Sequence, residues 1–227
     1  MGMKYTGSTV DLATAPNAAH INLTTAITLS AWIKFNTLPT VDYVSYLTKN
    51  DYYFLQYDIV SGFSEFGIRL SGTIRSVLDG IAPAANTWFH IAGTYNKANL
   101  IIYRNGLEKA RQARTANIDT TTAVLSLAVI TSGIITLADQ RIYNRALSAG
   151  EILTMYACKG HDRNLNGLVA RYLSNEKASG TNAGVLANAI KDVSYFQNHA
   201  STGHDSGTGP QWSDRDGISH KRKRHRV

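Results

Sequence analysis

Ile27-Thr28-Leu29-Ser30-Ala31-Trp32-Ile33-Lys34-Phe35 alternates without a break. Ile27, Leu29, Ala31, Ile33 and Phe35 fall on one side of an extended chain, and Thr28, Ser30, Trp32 and Lys34 on the other. A period of two means a strand with one strongly buried face. Trp32, on the second face, is placed to cover a sheet edge or line a concave surface. Asn36-Thr37-Leu38-Pro39 ends the strand.

The same grammar continues on both sides. Tyr43 to Ile59 is dense in aromatics and turns at Asn50-Asp51. Phe66 to Leu70 and Ile74 to Leu78 are joined by Ser71-Gly72 as a hairpin. Trp88 to Tyr95 and Asn99 to Tyr103 follow, and Asn105-Gly106 predicts a type I′ turn, because both central residues need positive φ. Leu107 to Gln112 returns along it, followed by short strands near Val124 to Ala128 and Ile134 to Tyr143. One helix is predicted, from Ala149 to Met155 or Tyr156. Ser148 and Glu151 form its capping box, and Leu147 and Ile152 its hydrophobic staple. A weaker helical turn is expected around Val185 to Ala189. The core is expected to draw on Ala31, Ile33, Ile91, Ile102, Ile142 and Leu147.

The 227 residues, 44% of them apolar, suffice for one sandwich with a sizeable core. Of the formal charge of +7, five units sit in the run Lys221, Arg222, Lys223, Arg224 and Arg226, leaving +2 for the first 220 residues. Such a tail suits contact with an acidic protein face, while the body lacks the excess charge of a general phosphate-binding surface, so nucleic acid is not the expected partner. Cys158 is alone, which excludes an internal disulfide. It is expected to be semi-buried. No apolar stretch approaches the length of a membrane span, and no export signal is read at the start.

Four stretches carry a family resemblance. They are Ser8 to Leu12 with Leu29 to Lys34, Trp88 to Tyr95, Leu100 to Gly106, and Ala138 to Ile152, the most specific. In this order they resemble the laminin-G-like, concanavalin A-like lectin and glucanase superfamily. The resemblance implies an all-β fold, an antiparallel two-sheet jelly-roll sandwich with one short helix. Gly167 to Glu176 resembles the strand that ordinarily opens such a domain, and Ile190 to Ser194 with Asn198-His199 resembles the loop after it. In that loop Tyr195 stands where the family usually has glycine. An opening strand after the closing helix means either circular permutation or a truncated second copy. Permutation is the reading taken, with strand exchange between subunits as its variant. The expected domain spans 1–200, completed by strand 167–176, and 201–227 is expected to be polar loop and basic tail.

No Glu-x-Asp-x-Glu strand motif of the glycosidases with this fold is present, and Glu65, Glu108, Glu151 and Glu176 are isolated. His90 reads as a structural histidine, and His199, His204 and Asp205 match no closed zinc pattern. No catalytic residue is assigned and an enzyme is not expected. No cofactor is expected apart from calcium, which the resemblance makes relevant. Its candidate oxygen donors are Asp42, Asp51, Asp58, Asp119, Asp139 and Asp192, and no ligand set follows from their spacing. Trp32, Tyr46, Tyr52, Tyr53 and Tyr57 are the candidate ligand or interface residues, either stacking on sugar rings or packing against the core or a second subunit.

A domain of this type without disulfides, an export signal or appended modules points to a virion component, such as a capsid decoration, spike or tail-associated protein. Its expected partners are capsid or tail proteins and copies of itself in a homo-oligomer. One alternative is a free carbohydrate-binding or adhesion module at the cell surface or outside the cell, with a glycan as partner, and a second is weak nucleic-acid binding through the basic tail.

Overall fold

The computed structural model describes residues 2–6, 11–40, 44–175, 186–203 and 211–213. In chain order their strands are β1 (Gly2–Thr6), β2 (Asp11–Ala15), β3 (Ile27–Thr37), β4 (Val44–Thr48), β5 (Tyr53–Asp58), β6 (Phe63–Leu70), β7 (Thr73–Leu78) and β8 (Trp88–Tyr95). There follow β9 (Asn99–Arg104), β10 (Leu107–Ala113), β11 (Leu125–Ile130), β12 (Ile134–Tyr143), β13 (Leu168–Tyr172), β14 (Leu186–Ile190), β15 (Ala200–Gly203) and β16 (Gln211–Ser213). A 3₁₀ turn, Ala19–Ile21, precedes β3, and helix α1 (Ala149–Ala157) follows β12. One sheet runs β10-β9-β8-β3-β12-β1-β16, with β13 also on β12, and the other runs β14-β15-β2-β11-β4-β5-β6-β7. The fold is an all-β, antiparallel two-sheet sandwich with one short helix.

The core follows from the alternation. Ile27, Leu29, Ala31, Ile33 and Phe35 enter the space between the sheets with Ile91, Ile102 and Ile142. Gly93 permits the closest approach across it. A Cβ there would lie 2.1 Å from the Phe66 ring, so no other residue leaves room for that ring. The opposite face of β3 is buried too, because α1 lies over it. Thr28 Oγ1 donates to the Arg145 carbonyl and accepts from the Leu147 amide, and Ser30 Oγ donates to Met155 Sδ. Leu147, expected in the inner layer, instead packs with Tyr103, Tyr143, Ile152 and Met155 beneath the helix. Its place in the staple draws it to that side. The capping box forms as the sequence predicts.

Residues 186–190, expected as a helical turn, form β14, since pairing with β15 outweighs their local preference. Residues 200–203 and 211–213, at and beyond the expected boundary at 200, pair with β2 and β1. Strand β13 pairs with β12 through Gln140↔Tyr172, Arg141↔Arg171 and Ile142↔Ala170. Val169, Ala170 and Tyr172 are buried in the main core, whereas a register shift turns Leu168 toward the helix cluster.

A bulge on β12 anchors this junction. Asp139 adopts φ 48°, and the alternation shifts so that Gln140 points inward, where its amide reaches the carbonyls of Tyr46 (2.6 Å) and Leu127. On the other side Arg141 forks onto Asp139 and Asp162, at 2.6 and 2.7 Å, and Arg171 of β13 reaches Asp139 at 2.8 Å and the Gly160 carbonyl at 2.6 Å. Burial opposes ionisation of Asp139, but the two guanidiniums outweigh it and hold its carboxyl below the usual range. The four charges cancel.

Asn105 and Gly106 take φ 52° and 81°, as a type I′ turn requires. A Cβ at Gly106 would also meet Leu153 Cδ1 at 2.9 Å and Tyr156 Cβ at 3.2 Å. Gly106→Val is therefore expected to lower stability by more than about 1 kcal/mol, since both φ and helix packing resist it. Thermal unfolding checks this, and an unchanged midpoint contradicts it. A chain ending at Asn166 is expected to lose its cooperative transition, because it removes Tyr172 from the core and leaves Asp139 and Asp162 with one arginine. Calorimetry decides it, and melting like the full chain refutes it.

Candidate functional site

The five aromatics weighed as ligand or interface residues, or as core packing, do not form one exposed surface. Tyr46 and Tyr53 are core residues, at 0% and 2% exposure. Tyr57 packs edge-on against Phe35 between the sheets, with ring centroids 5.2 Å apart. Trp32 is buried on the other side of the first sheet, against His90 and Tyr156. Tyr52 is half-buried beneath the Arg69 guanidinium. The basic run Lys221, Arg222, Lys223, Arg224 and Arg226 lies outside the described residues. Cys158, expected to be semi-buried, is exposed, because Ile152 and Met155 fill the buried face of α1.

The exposed aromatics lie elsewhere. The loop between β14 and β15 carries Val193 at 50%, Tyr195 at 92% and Phe196 at 44% exposure. Phe196 stacks face to face on His20 of the 3₁₀ turn, at 4.2 Å and 7°, and Tyr195 stands edge-on to Phe196 at 5.5 Å. Three rings from two segments thus form one rim. Burial draws the His20 pKa below its usual value, with Asp192 pulling the other way.

Asp192 holds the loop rigid. Its carboxylate accepts from the Arg171, Ser194 and Asn198 amides at 2.8–2.9 Å, and from the Ser194 hydroxyl. His199 Nδ1 accepts from the Asp192 amide. The second segment is fixed from below and behind. The Tyr53 hydroxyl donates to the Ile21 carbonyl, Asn198 Nδ2 donates to the Pro16 carbonyl, and Lys49 Nζ donates to Asn17 Oδ1. Buried Tyr53 therefore supports the segment that carries His20. Rigid, exposed aromatic faces suit an amphipathic ligand at low entropic cost. The departure from glycine at Tyr195 was the available sequence signal for this rim.

Four of the expected calcium donors are otherwise engaged. Asp58 caps Val60 and Ser61, Asp119 accepts from the Ser71 and Gly72 amides, and Asp139 and Asp192 are used as above. Asp51 is exposed in its turn, and Asp42 lies outside the described residues. Among the described residues no three His, Cys, Asp or Glu side chains converge as metal ligands. The described residues do not gather the carboxylates of a calcium site. His204 and Asp205 lie outside the described residues. Among the isolated glutamates, Glu65 accepts from Gln56, Glu108 pairs with Arg111 and Glu151 is spent on its cap and Arg145.

Comparison with known proteins adds three findings. A laminin G-type sequence profile described as the concanavalin A-like lectin/glucanases superfamily matches residues 7–153. No curated protein matches the chain in sequence. Among solved structures, a candidate carbohydrate-binding protein of Bacteroides ovatus aligns at TM-score 0.67 and 15% identity, over 94% of this chain and 60% of that one. The binding domain of Paraclostridial Mosquitocidal Protein 1 aligns at 0.55 and 16%, over 67% and 46%. Domain 4 of an extracellular arabinanase of Geobacillus stearothermophilus, in complex with arabinotriose, aligns at 0.50 and 18%, over 63% and 71%. The chain spans about half the length of the mosquitocidal protein's binding domain. These relatives overturn the expectation of a virion component and a virion location: they are binding domains and carbohydrate-associated modules, not capsid or tail parts. The features on which that expectation stood, no disulfide, no export signal read and no appended module, distinguish no location.

His90 is 1% exposed, and burial, assisted by Arg141 and opposed by Asp139 and Asp162, lowers its pKa to about 4. The unfolded chain therefore binds the proton first as pH falls. The contribution is complete above about pH 6.5 and is lost toward pH 4, on the order of 3 kcal/mol in all. Urea midpoints across this range should fall in the wild type and flatten in His90→Gln. Parallel slopes would contradict it.

Proposed function

We propose that this chain, which belongs to the concanavalin A-like lectin/glucanase superfamily, is a non-catalytic carbohydrate-binding or adhesion module that works outside the cell or at its surface. The observation that carries the reading is the rim of Tyr195, Phe196 and His20. Tyr195 is almost fully exposed on a loop whose every turn is tied to Asp192. An aromatic of this size is seldom left in water without use, and it offers a flat apolar face to the C–H side of a sugar ring. The described relatives support the same class: one is associated with carbohydrate binding by description, and another holds a bound arabinan oligosaccharide.

A glycan array followed by calorimetric titration of the best hit tests this. Tyr195→Ala and Phe196→Ala should each weaken binding about tenfold or more, as the loss of a stacking face of roughly 1.4 kcal/mol implies. Tyr195→Ala should leave the melting temperature unchanged, since the ring has few contacts to lose. A blank array, or full affinity in Tyr195→Ala, overturns the proposal.

A further inference from the structure

We propose that the Lys49 ammonium is a built-in cation at the root of the rim, filling the role of a bound metal ion, so that the rim assembles and binds its glycan without calcium. The binding half of this rests on the function proposed above. Lys49 is 1% exposed at the end of β4. Its Nζ donates to three oxygens from separate places in the chain: Asn17 Oδ1 at 2.9 Å, the Thr121 carbonyl at 2.7 Å and the Ala123 carbonyl at 3.0 Å. No carboxylate among the described residues pairs with it. Three acceptors require three N–H bonds, and a neutral amine has two, so the group is the ammonium. Burial draws its pKa below the ordinary lysine value, and the three oxygens oppose that cost.

The cradle suits an ammonium and not a divalent metal. Its oxygens are few, neutral and at hydrogen-bond length, whereas calcium gathers about six to eight oxygens at about 2.3–2.6 Å, carboxylates among them. What the cation gathers matters for the rim. Asn17 precedes the 3₁₀ turn that carries His20 and follows Pro16, whose carbonyl holds Asn198 of the aromatic loop at 3.0 Å. Lys49 thereby ties the segment before β3 to the loop before β11 and sets where His20 meets Phe196. It is a positioning residue.

The test uses the full chain, with thermal unfolding and glycan titration as readouts. The wild type should show the same melting temperature and affinity in excess EDTA and in millimolar calcium. Lys49→Ala should lower the melting temperature by about 5 °C or more and weaken glycan binding. n-Propylammonium should restore both, and n-propanol, which fills the same space without charge, should restore neither. The proposal is overturned if EDTA weakens the wild type, if Lys49→Ala changes nothing, or if propanol rescues as well as propylammonium. Should Lys49→Ala not fold, Asn17→Ala removes one acceptor and should still lower the melting temperature, and no shift there overturns the proposal. If the wild type binds no glycan, the functional reading fails alone, and the EDTA and propylammonium melting arms still decide the role of Lys49.

Discussion

Asp139 is the point on which the sandwich closes. Its carboxylate holds Arg141 of its own strand and Arg171 of β13, and Arg141 in turn holds Asp162 of the connector after the helix. Burying four charges is costly, and a buried ion pair seldom stabilises more than a well-packed apolar substitute would. Its value here is specificity, because the fork geometry accepts one register of β13 against β12. The backbone is shaped for it. Asp139 sits in the left-handed region, and a Cβ at Gly160 would come within 2.4 Å of its Oδ2. The same bulge turns Gln140 inward to the carbonyls of β4 and β11, so one irregularity joins the C-terminal strand outside and the second sheet inside.

From β13 the order passes to the rim. The Arg171 amide donates to Asp192, the Val193 amide donates to the Arg171 carbonyl, and the Tyr172 hydroxyl donates to the Asn198 carbonyl. The loop that presents Tyr195 is therefore built directly on the strand that the arginines position. A side chain in water usually samples several rotamers, but the loop beneath it need not move. Preorganisation of this kind leaves little loop entropy to lose on binding.

Among the described residues, the exposed aromatics lie at this end for a packing reason. Helix α1 covers the outer face of β3, β8 and β12, so Trp32 and His90 contact protein on both sides. The aromatics of β4 and β5 fill the gap between the sheets. The exposed aromatic surface is displaced to a loop, where insertion of a large ring costs the core nothing. Loops on a rigid scaffold carry binding for the same reason in many folds.

Much of the fold was legible in the chain itself. The alternation of Ile27 to Phe35, the paired positive-φ residues at Asn105-Gly106 and the Ser148–Glu151 box are local rules, and local geometry satisfies them without knowledge of the rest. Even the strand character of Leu168 to Tyr172 was written in its sequence. Period two, however, says that two faces differ and not which of them meets water. Only the packed structure placed α1 over the polar face of β3, sent Tyr46 and Tyr53 into the core and left Tyr195 outside. Likewise, nothing near Lys49 in sequence announces its acceptors, because Asn17, Thr121 and Ala123 meet it only when β2, β4 and the loop before β11 lie side by side. Exposure and convergence belong to contacts distant in sequence, and those the tertiary structure alone decides.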